Sequence, residues 1–140
     1  MARSINISES QRRSLWTMLN TVDQALCDFE SWAKGREHAG VLFSEKNDLS
    51  PAQRQALLTQ IESMRQKIRS LGDDLALERR TRTVRANIIA SASTLWIGLV
   101  EVEPDQLRRY GPVDPQTVEY LGPKIRELVA GIQDLIEGCK

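Results

Sequence analysis

A group of charged and aromatic residues near the end of an uncharged segment has the side chains needed to hold an anionic ligand. Glu103 follows the apolar segment, and Arg108, Arg109 and Tyr110 come a few residues later. A carboxylate and arginines that line a cavity between helices can bind a small anionic substrate. The same residues also suit a structural ion pair that holds the following loop in place. The ion pair is the favoured interpretation, and ligand binding at Glu103, Arg108, Arg109 and Tyr110 is the alternative.

No other part of the sequence carries a recognisable catalytic or cofactor motif. It contains no His-Glu-x-x-His, Glu-x-x-His or Cys-x-x-Cys-His spacing and no glycine-rich phosphate loop, so the ligands of zinc, di-iron, haem and nucleotide sites are missing. The single histidine, His38, has no second histidine or paired cysteine beside it. We therefore predict no catalytic residue, no metal site and no cofactor, and the sequence favours a protein that is not an enzyme.

The two cysteines, Cys27 and Cys139, are far apart in the sequence. That spacing does not suggest a metal or redox motif, and we expect both thiols to be reduced. Cys27 falls within an amphipathic pattern and is expected to be buried, whereas Cys139 is expected to be exposed.

A cluster of arginines could contact phosphate groups. Arg79, Arg80, Arg82 and Arg85 crowd the predicted start of the third helix. However, no aromatic residues are interleaved with them and no helix-turn-helix pattern follows. The chain has 19 basic and 19 acidic residues, so it lacks the charge excess of most nucleic-acid-binding proteins. A solvated helix face is the favoured interpretation, and a nucleic-acid-linked regulator is an alternative.

The segment from Ala86 to Val100 contains no charged residue. It is shorter than the roughly 18–20 residues that span a bilayer, so we expect no membrane segment here. Apolar residues recur at helical spacing and surround nearly the whole helix, which predicts a helix enclosed by other elements. The alternative is that one face is left open for a second subunit or a protein partner. The candidate interaction residues are Trp96, Ile97 and Val100.

Capping patterns predict where the first two helices begin. Ser8 with Gln11, and Ser50 with Gln53, match the capping box, and Pro51 suits the first helical position. The first helix is expected to end at Gly35. The second ends at Gly72 or bends and continues to Leu77.

The later helices are predicted from prolines, glycines and apolar spacing. The third helix runs to Glu103 and is ended by Pro104. A short helix opens at Asp114-Pro115 and extends through Tyr120. The last helix starts again at Gly122-Pro123 and ends at Gly138. Between the first two helices, residues 35–49 form an ordered loop, and we expect its apolar residues to dock on the helices: Val41, Leu42 and Phe43.

These patterns together predict an all-α protein. The predicted architecture is a single domain, residues 1–140, built as an up-down-up-down four-helix bundle with two ordered loops and short extra helical turns between helices 3 and 4. The first residues lack the apolar region of a signal peptide, which favours a cytoplasmic location. The predicted function is non-enzymatic: self-association or binding to a protein partner.

Overall fold

The computed structural model describes residues 5–140 and contains helices but no strand in that range. The helices are α1 (Glu9–Ala33), α2 (Pro51–Asp74), α3 (Val84–Val100), α4 (Pro104–Leu107) and α5 (Pro115–Gly138), with a 3-10 turn at Arg108–Tyr110. An isolated antiparallel bridge joins Ala39 to Ser44. The predicted all-α class is confirmed. None of the helices in residues 5–140 is long and apolar enough to cross a membrane.

The contacts divide the chain into two compact units, Met1–Arg79 and Arg80–Lys140. In the first unit, α1 packs against α2. In the second unit, α3 packs against α5, and the short α4 also contacts α5. The long helices are therefore paired within each unit, and the arrangement of all four as one bundle stays a prediction.

Both predicted helix starts in the first unit are confirmed. The Ser8 hydroxyl accepts a hydrogen bond from the backbone N–H of Gln11 at 3.1 Å, and the Gln11 side chain accepts one from the Ser8 N–H at 2.9 Å. Ser50 and Gln53 make the same reciprocal pair at 3.1 and 2.8 Å. Each box satisfies two amide groups that have no partner within the helix. Local sequence alone therefore decides where α1 and α2 begin.

The end of α2 differs from both predicted alternatives. The helix continues past Gly72 to Asp74, and the turn that ends it is made by Ala76, whose φ is +52°. The Leu77 N–H donates to the Gly72 carbonyl at 2.8 Å and closes this turn. Glycine is the usual residue for a positive φ after a helix. The prediction from the sequence was wrong because Ala76 takes the positive φ, while Gly72 remains helical.

The core of the first unit lies between two antiparallel helices. The Ile5 N–H, just before α1, donates to the Asp74 carbonyl at the end of α2 at 3.1 Å, so the two helices run in opposite directions. The buried apolar residues are Leu26, Ala33, Ile61 and Leu75.

One ion pair on this unit joins α1 to α2. Arg65 Nη1 and Glu30 Oε2 are 2.6 Å apart, and both side chains are partly covered. Cys27 was expected to be buried but is exposed, with its Sγ 4.0 Å from Arg65 Nη2. Cys139 was expected to be exposed but is half-buried.

The boundaries of α3 also differ from the prediction. The helix begins at Val84, after Thr83, whose hydroxyl accepts a hydrogen bond from the Ala86 N–H at 3.1 Å. It ends at Val100 rather than Glu103. Pro104 does not end α3 but takes the first position of α4. Proline lacks an N–H group and can therefore both follow one helix and begin another.

The last helix is continuous where a break was expected. α5 runs through Gly122 and Pro123 without interruption, which makes the predicted short helix ending at Tyr120 wrong. Pro123 is exposed and Gly122 is buried. The covered residues of α5 recur at helical spacing across this site: Val118, Leu121, Gly122, Ile125, Val129, Ile132 and Ile136. Packing of this side against α3 favours one helix despite the unfavourable proline.

Substitution of Pro123 by alanine should stabilise α5. Alanine would restore a backbone N–H and remove the clash between the proline ring and the carbonyl one turn earlier, a gain of about 1–3 kcal/mol. Urea unfolding followed by circular dichroism measures this change. Pro115→Ala, at the first helical position, is the matched control and should change stability little. A loss of stability in Pro123→Ala would contradict the account of α5.

The Glu30–Arg65 pair should make the first unit sensitive to acid. The hydrogen bond from Arg65 lowers the pKa of Glu30 below its ordinary value of 4.5. A carboxylate whose pKa is lower in the folded state stabilises that state above its unfolded pKa, and this contribution is lost as the pH falls through the folded pKa. The melting temperature of Glu30→Gln should therefore be lower than that of the unsubstituted protein at pH 7.

The control for this experiment is a second acidic residue on the same unit. Glu62 pairs with Arg69 at 3.5 Å, and both side chains are largely exposed, so Glu62→Gln should change the melting temperature little at any pH. The gap between the unsubstituted protein and Glu30→Gln should close as the pH falls below 4.5. A gap that stays constant down to pH 2 would show that the ion pair is not its source.

Candidate functional site

The predicted ligand-binding residues lie on the connection between α3 and α5 and make local contacts. Arg108 Nη2 is 3.7 Å from the Asp105 carboxylate, and both side chains are exposed. Arg109 donates to the Glu101 carbonyl at 3.4 Å, and its guanidinium lies 5.2 Å from the ring centroid of Tyr110. These contacts join residues of the connection to one another.

Glu103, the fourth member of the predicted group, is half-buried at the N-cap of α4. In residues 5–140 no ion pair joins it to Arg108 or Arg109. The described contacts of Arg108 and Arg109 are therefore with Asp105, Glu101 and Tyr110 rather than with Glu103, and ligand binding by this group stays a prediction.

The arginine cluster lies mainly before α3 rather than on it. Arg79, Arg80 and Arg82 belong to the irregular segment 77–83, and Arg85 is the second residue of the helix. All four side chains are exposed. Arg82 donates to the side-chain oxygen of Asn87 at 2.8 Å. The four arginines therefore do not share one helical face.

No metal-binding arrangement is present in residues 5–140, because no group of three or more histidine, cysteine, aspartate or glutamate side chains there is placed to hold an ion. His38 is exposed. Its described hydrogen bonds are through the backbone: its N–H donates to the Glu45 carboxylate at 2.7 Å, and its carbonyl accepts from the Glu45 N–H at 2.8 Å. These contacts give His38 a structural place in its loop.

The loop between α1 and α2 is ordered by its own hydrogen bonds, and we call residues 35–49 the bridged loop. The Glu45 N–H donates to the His38 carbonyl at 2.8 Å, and the Gly40 N–H donates to the Phe43 carbonyl at 2.9 Å. The Glu45 carboxylate also accepts the His38 N–H and the Trp32 indole N–H, the latter at 3.4 Å. The two arms of the loop are thereby held together and against the end of α1.

Asn47 fastens the base of the bridged loop to α1. Its side-chain amide donates to the carbonyl groups of Trp32 at 2.7 Å and Arg36 at 3.1 Å. Its backbone N–H donates to the Glu37 carboxylate at 2.6 Å. A cavity of about 260 Å³ opens beside this base, lined by Trp32, Arg36, Glu45, Lys46, Asn47, Asp48 and Leu49. The cavity is slightly below the usual size of small-molecule sites.

The end of the bridged loop is apolar and faces solvent. Val41 is 100% exposed and Leu42 is 98% exposed, and we call these two residues the loop tip. Phe43 is also largely exposed. The prediction that these side chains dock on the helices is wrong, because the bridge between Ala39 and Ser44 closes the loop on itself before its apolar residues can reach a helix.

A second apolar surface lies on the α3–α5 pair. On α3, the residues with less exposure are Ile89, Ala92, Trp96, Leu99 and Val100. Beside these residues, α3 has a series of exposed apolar side chains, and α5 has another. We call the two series together the open strip, which consists of Val84, Ile88 and Leu95 of α3 with Leu128 and Leu135 of α5. Leu95 is 59% exposed, and Leu128 and Leu135 are each 56% exposed.

The three predicted interaction residues do not form one surface. Trp96 and Val100 are half-buried on the more covered side of α3, and the Trp96 indole N–H is buried without a hydrogen-bond partner in residues 5–140. Ile97 is 55% exposed and belongs to neither series. The sequence analysis missed the interaction candidates Leu95, Leu128 and Leu135. Leu128 and Leu135 are seven residues apart on α5, beside a separate apolar series, and this spacing was the available signal.

No protein-family model, no curated protein and no solved structure matches this chain. The loop tip and the open strip are therefore interpreted from their own chemistry. Both consist of apolar side chains on ordered backbone, which is typical of surfaces that bind other macromolecules.

Asn47→Asp should loosen the bridged loop. Aspartate keeps the shape of the side chain but has no N–H group, so the carbonyl groups of Trp32 and Arg36 would lose the hydrogen bonds from the Asn47 amide and face a carboxylate. We expect a loss of about 1–3 kcal/mol of unfolding free energy, measured by urea unfolding with tryptophan fluorescence. Asp48→Asn, at the exposed neighbouring position, should change it by less than about 0.5 kcal/mol. Equal values for the two variants would contradict the role of Asn47.

Proposed function

We propose that the protein acts without catalysis, by binding a second copy of itself through the open strip. The observation that carries this proposal is the exposure of Ile88, Leu95 and Val84 on a helix that has no charged residue from Ala86 to Val100. Burial of apolar surface is the main driving force of protein association. A charged partner surface is disfavoured, because its charged groups would be removed from water and would find no opposite charge on this part of α3.

The exposed series on the two helices fall on the same face of an antiparallel pair. On each helix, the exposed apolar residues lie about a quarter turn around the helix axis from the covered residues. The direction of this rotation, viewed from the N-terminus of the helix, is the same for α3 and α5. The connection of residues 101–114 favours an antiparallel α5. When two antiparallel helices pack side by side, residues displaced in the same direction around each helix axis from the contact between the helices lie on the same face of the pair. Leu95 of α3 and Leu128 of α5 then belong to one continuous surface.

The second unit buries little by itself. Its buried residues are Ala92, Pro104 and Gly122, none of which has a large side chain. A unit of this size needs more apolar burial than a single helical pair offers. Two copies related by a two-fold axis would place the same open strip on both sides of the interface and enclose it within four helices.

Other expectations from the sequence stay proposals. These are the single up-down-up-down bundle of residues 1–140, the cytoplasmic location and a partner other than the chain itself. Ligand binding at Glu103, Arg108, Arg109 and Tyr110 and nucleic-acid binding by the segment 79–85 also stay proposals. No contact described above favours either of the last two over self-association.

The proposal predicts that the purified chain is a dimer whose association depends on the open strip. Size-exclusion chromatography with light scattering measures the mass. Leu95→Glu and Leu128→Glu should each convert the dimer to a monomer at micromolar concentration, because each places two like charges in the symmetric interface.

Ile97→Glu is the matched control. It adds the same charge to α3 at a residue of nearly equal exposure, 55% against 59% for Leu95, and this variant should remain dimeric. A strictly monomeric unsubstituted protein would overturn the proposal. Dissociation by Ile97→Glu but not by Leu95→Glu would also overturn it and would assign the interface to the predicted interaction residues.

A further inference from the structure

We propose that the loop tip is an anchor that inserts into an apolar pocket of a different protein. Val41 and Leu42 are almost completely exposed, although the loop that carries them is ordered by hydrogen bonds. Neither side chain contributes to a core. A pair of adjacent aliphatic side chains at the end of a rigid loop has the form of the apolar anchors that fill pockets at protein interfaces.

The loop is held in the conformation that binding would require. The Ala39–Ser44 bridge and the hydrogen bond between Gly40 and Phe43 close the turn, and Asn47 joins the base to α1. Association is weakened when a loop must first be ordered. The bridged loop has little of this cost, because its backbone is already restrained on both sides of the tip.

A close contact between Phe43 and Gly40 supports the turn. A Cβ atom at Gly40 would lie 2.6 Å from Cε1 of the Phe43 ring, a distance that no side chain could accept without moving the ring. The ring therefore lies against the glycine backbone, while the two tip side chains project beyond it. Gly40 is needed here for close approach rather than for flexibility.

The charges of the loop argue against a membrane as the occupant. Residues 35–49 contain two basic side chains, Arg36 and Lys46, and three acidic ones, Glu37, Glu45 and Asp48. Anionic lipid surfaces attract clusters of lysine and arginine, and residues that sit at the lipid interface are enriched in tryptophan and tyrosine. The bridged loop has neither feature, so we assign the tip to a protein surface.

A second copy of the chain is also a poor occupant for the tip. Contact between two tips would bury only four aliphatic side chains. Their combined surface is far smaller than the roughly 1,200 Å² that stable interfaces bury. A concave pocket would surround both side chains and also contact the arms of the loop, whose charges of both signs suit a polar rim. This site lies in the first unit and does not depend on self-association through the open strip.

The test begins with a photo-crosslinking amino acid placed at position 42 of the full chain in its native cells. The same group at Lys67, an exposed position on α2, is the control. A protein crosslinked from position 42 but not from position 67 is identified by mass spectrometry and purified. Its affinity is then measured by calorimetry for the unsubstituted chain and for the double variant Val41→Ser, Leu42→Ser.

The double variant should bind this purified protein at least tenfold more weakly and should keep the melting temperature of the unsubstituted chain, because both side chains are free of contacts. Lys67→Gln, an exposed substitution on α2 away from the loop, should bind within about twofold of the unsubstituted chain. Equal affinity of the double variant would overturn the proposal, and so would crosslinks from position 42 that reach no protein other than the chain itself. Binding to phosphatidylcholine–phosphatidylserine vesicles that is lost in the double variant would assign the tip to a lipid surface instead.

Discussion

The requirement to cover a helix that is apolar on nearly all sides governs the second unit. α3 has no charged residue over most of its length, and within its unit it packs against α5. One neighbouring helix can cover only one side of such a helix. The pairing is still strong enough to keep α5 helical through Gly122 and Pro123, since a break there would divide the apolar series that faces α3. The same limit leaves the open strip exposed, and for this reason we propose it as the interface for self-association.

The first unit solves its packing differently. Its two long helices are amphipathic and place Leu26, Ile61 and Leu75 in a shared core. The loop that joins them is held by hydrogen bonds rather than by burial, with Glu45 and Asn47 as its main acceptor and donor. Because these hydrogen bonds hold the loop without burial, its apolar tip does not need to pack on the helices. The exposed tip is thus compatible with a stable loop.

Much of the fold could be predicted because its signals are local. Capping boxes act within three residues, so Ser8 and Ser50 identified the starts of α1 and α2. The α-helical class followed from apolar spacing. Gly72, Pro104 and Pro123 were misread because each is compatible with more than one local conformation. The candidate surfaces were only partly foreseen: Ile97 is exposed as an interaction residue would be, whereas Leu95 and Leu128 were not among the predicted interaction residues. The sequence cannot tell which of two neighbouring apolar series a partner helix covers.

The sequence by itself determined that the chain is helical, that two helices begin at capping serines and that α3 carries no charge from Ala86 to Val100. These properties depend on side-chain chemistry within one or two turns of a residue. Only the tertiary structure decided which side of α3 packs against α5, that α5 passes through Pro123, and that Val41 and Leu42 face solvent. Those outcomes depend on contacts that local preference does not reveal: packing between α3 and α5 outweighs the preference of Pro123 to end a helix, and the hydrogen bonds of the bridged loop close it on itself before its apolar tip can reach a helix.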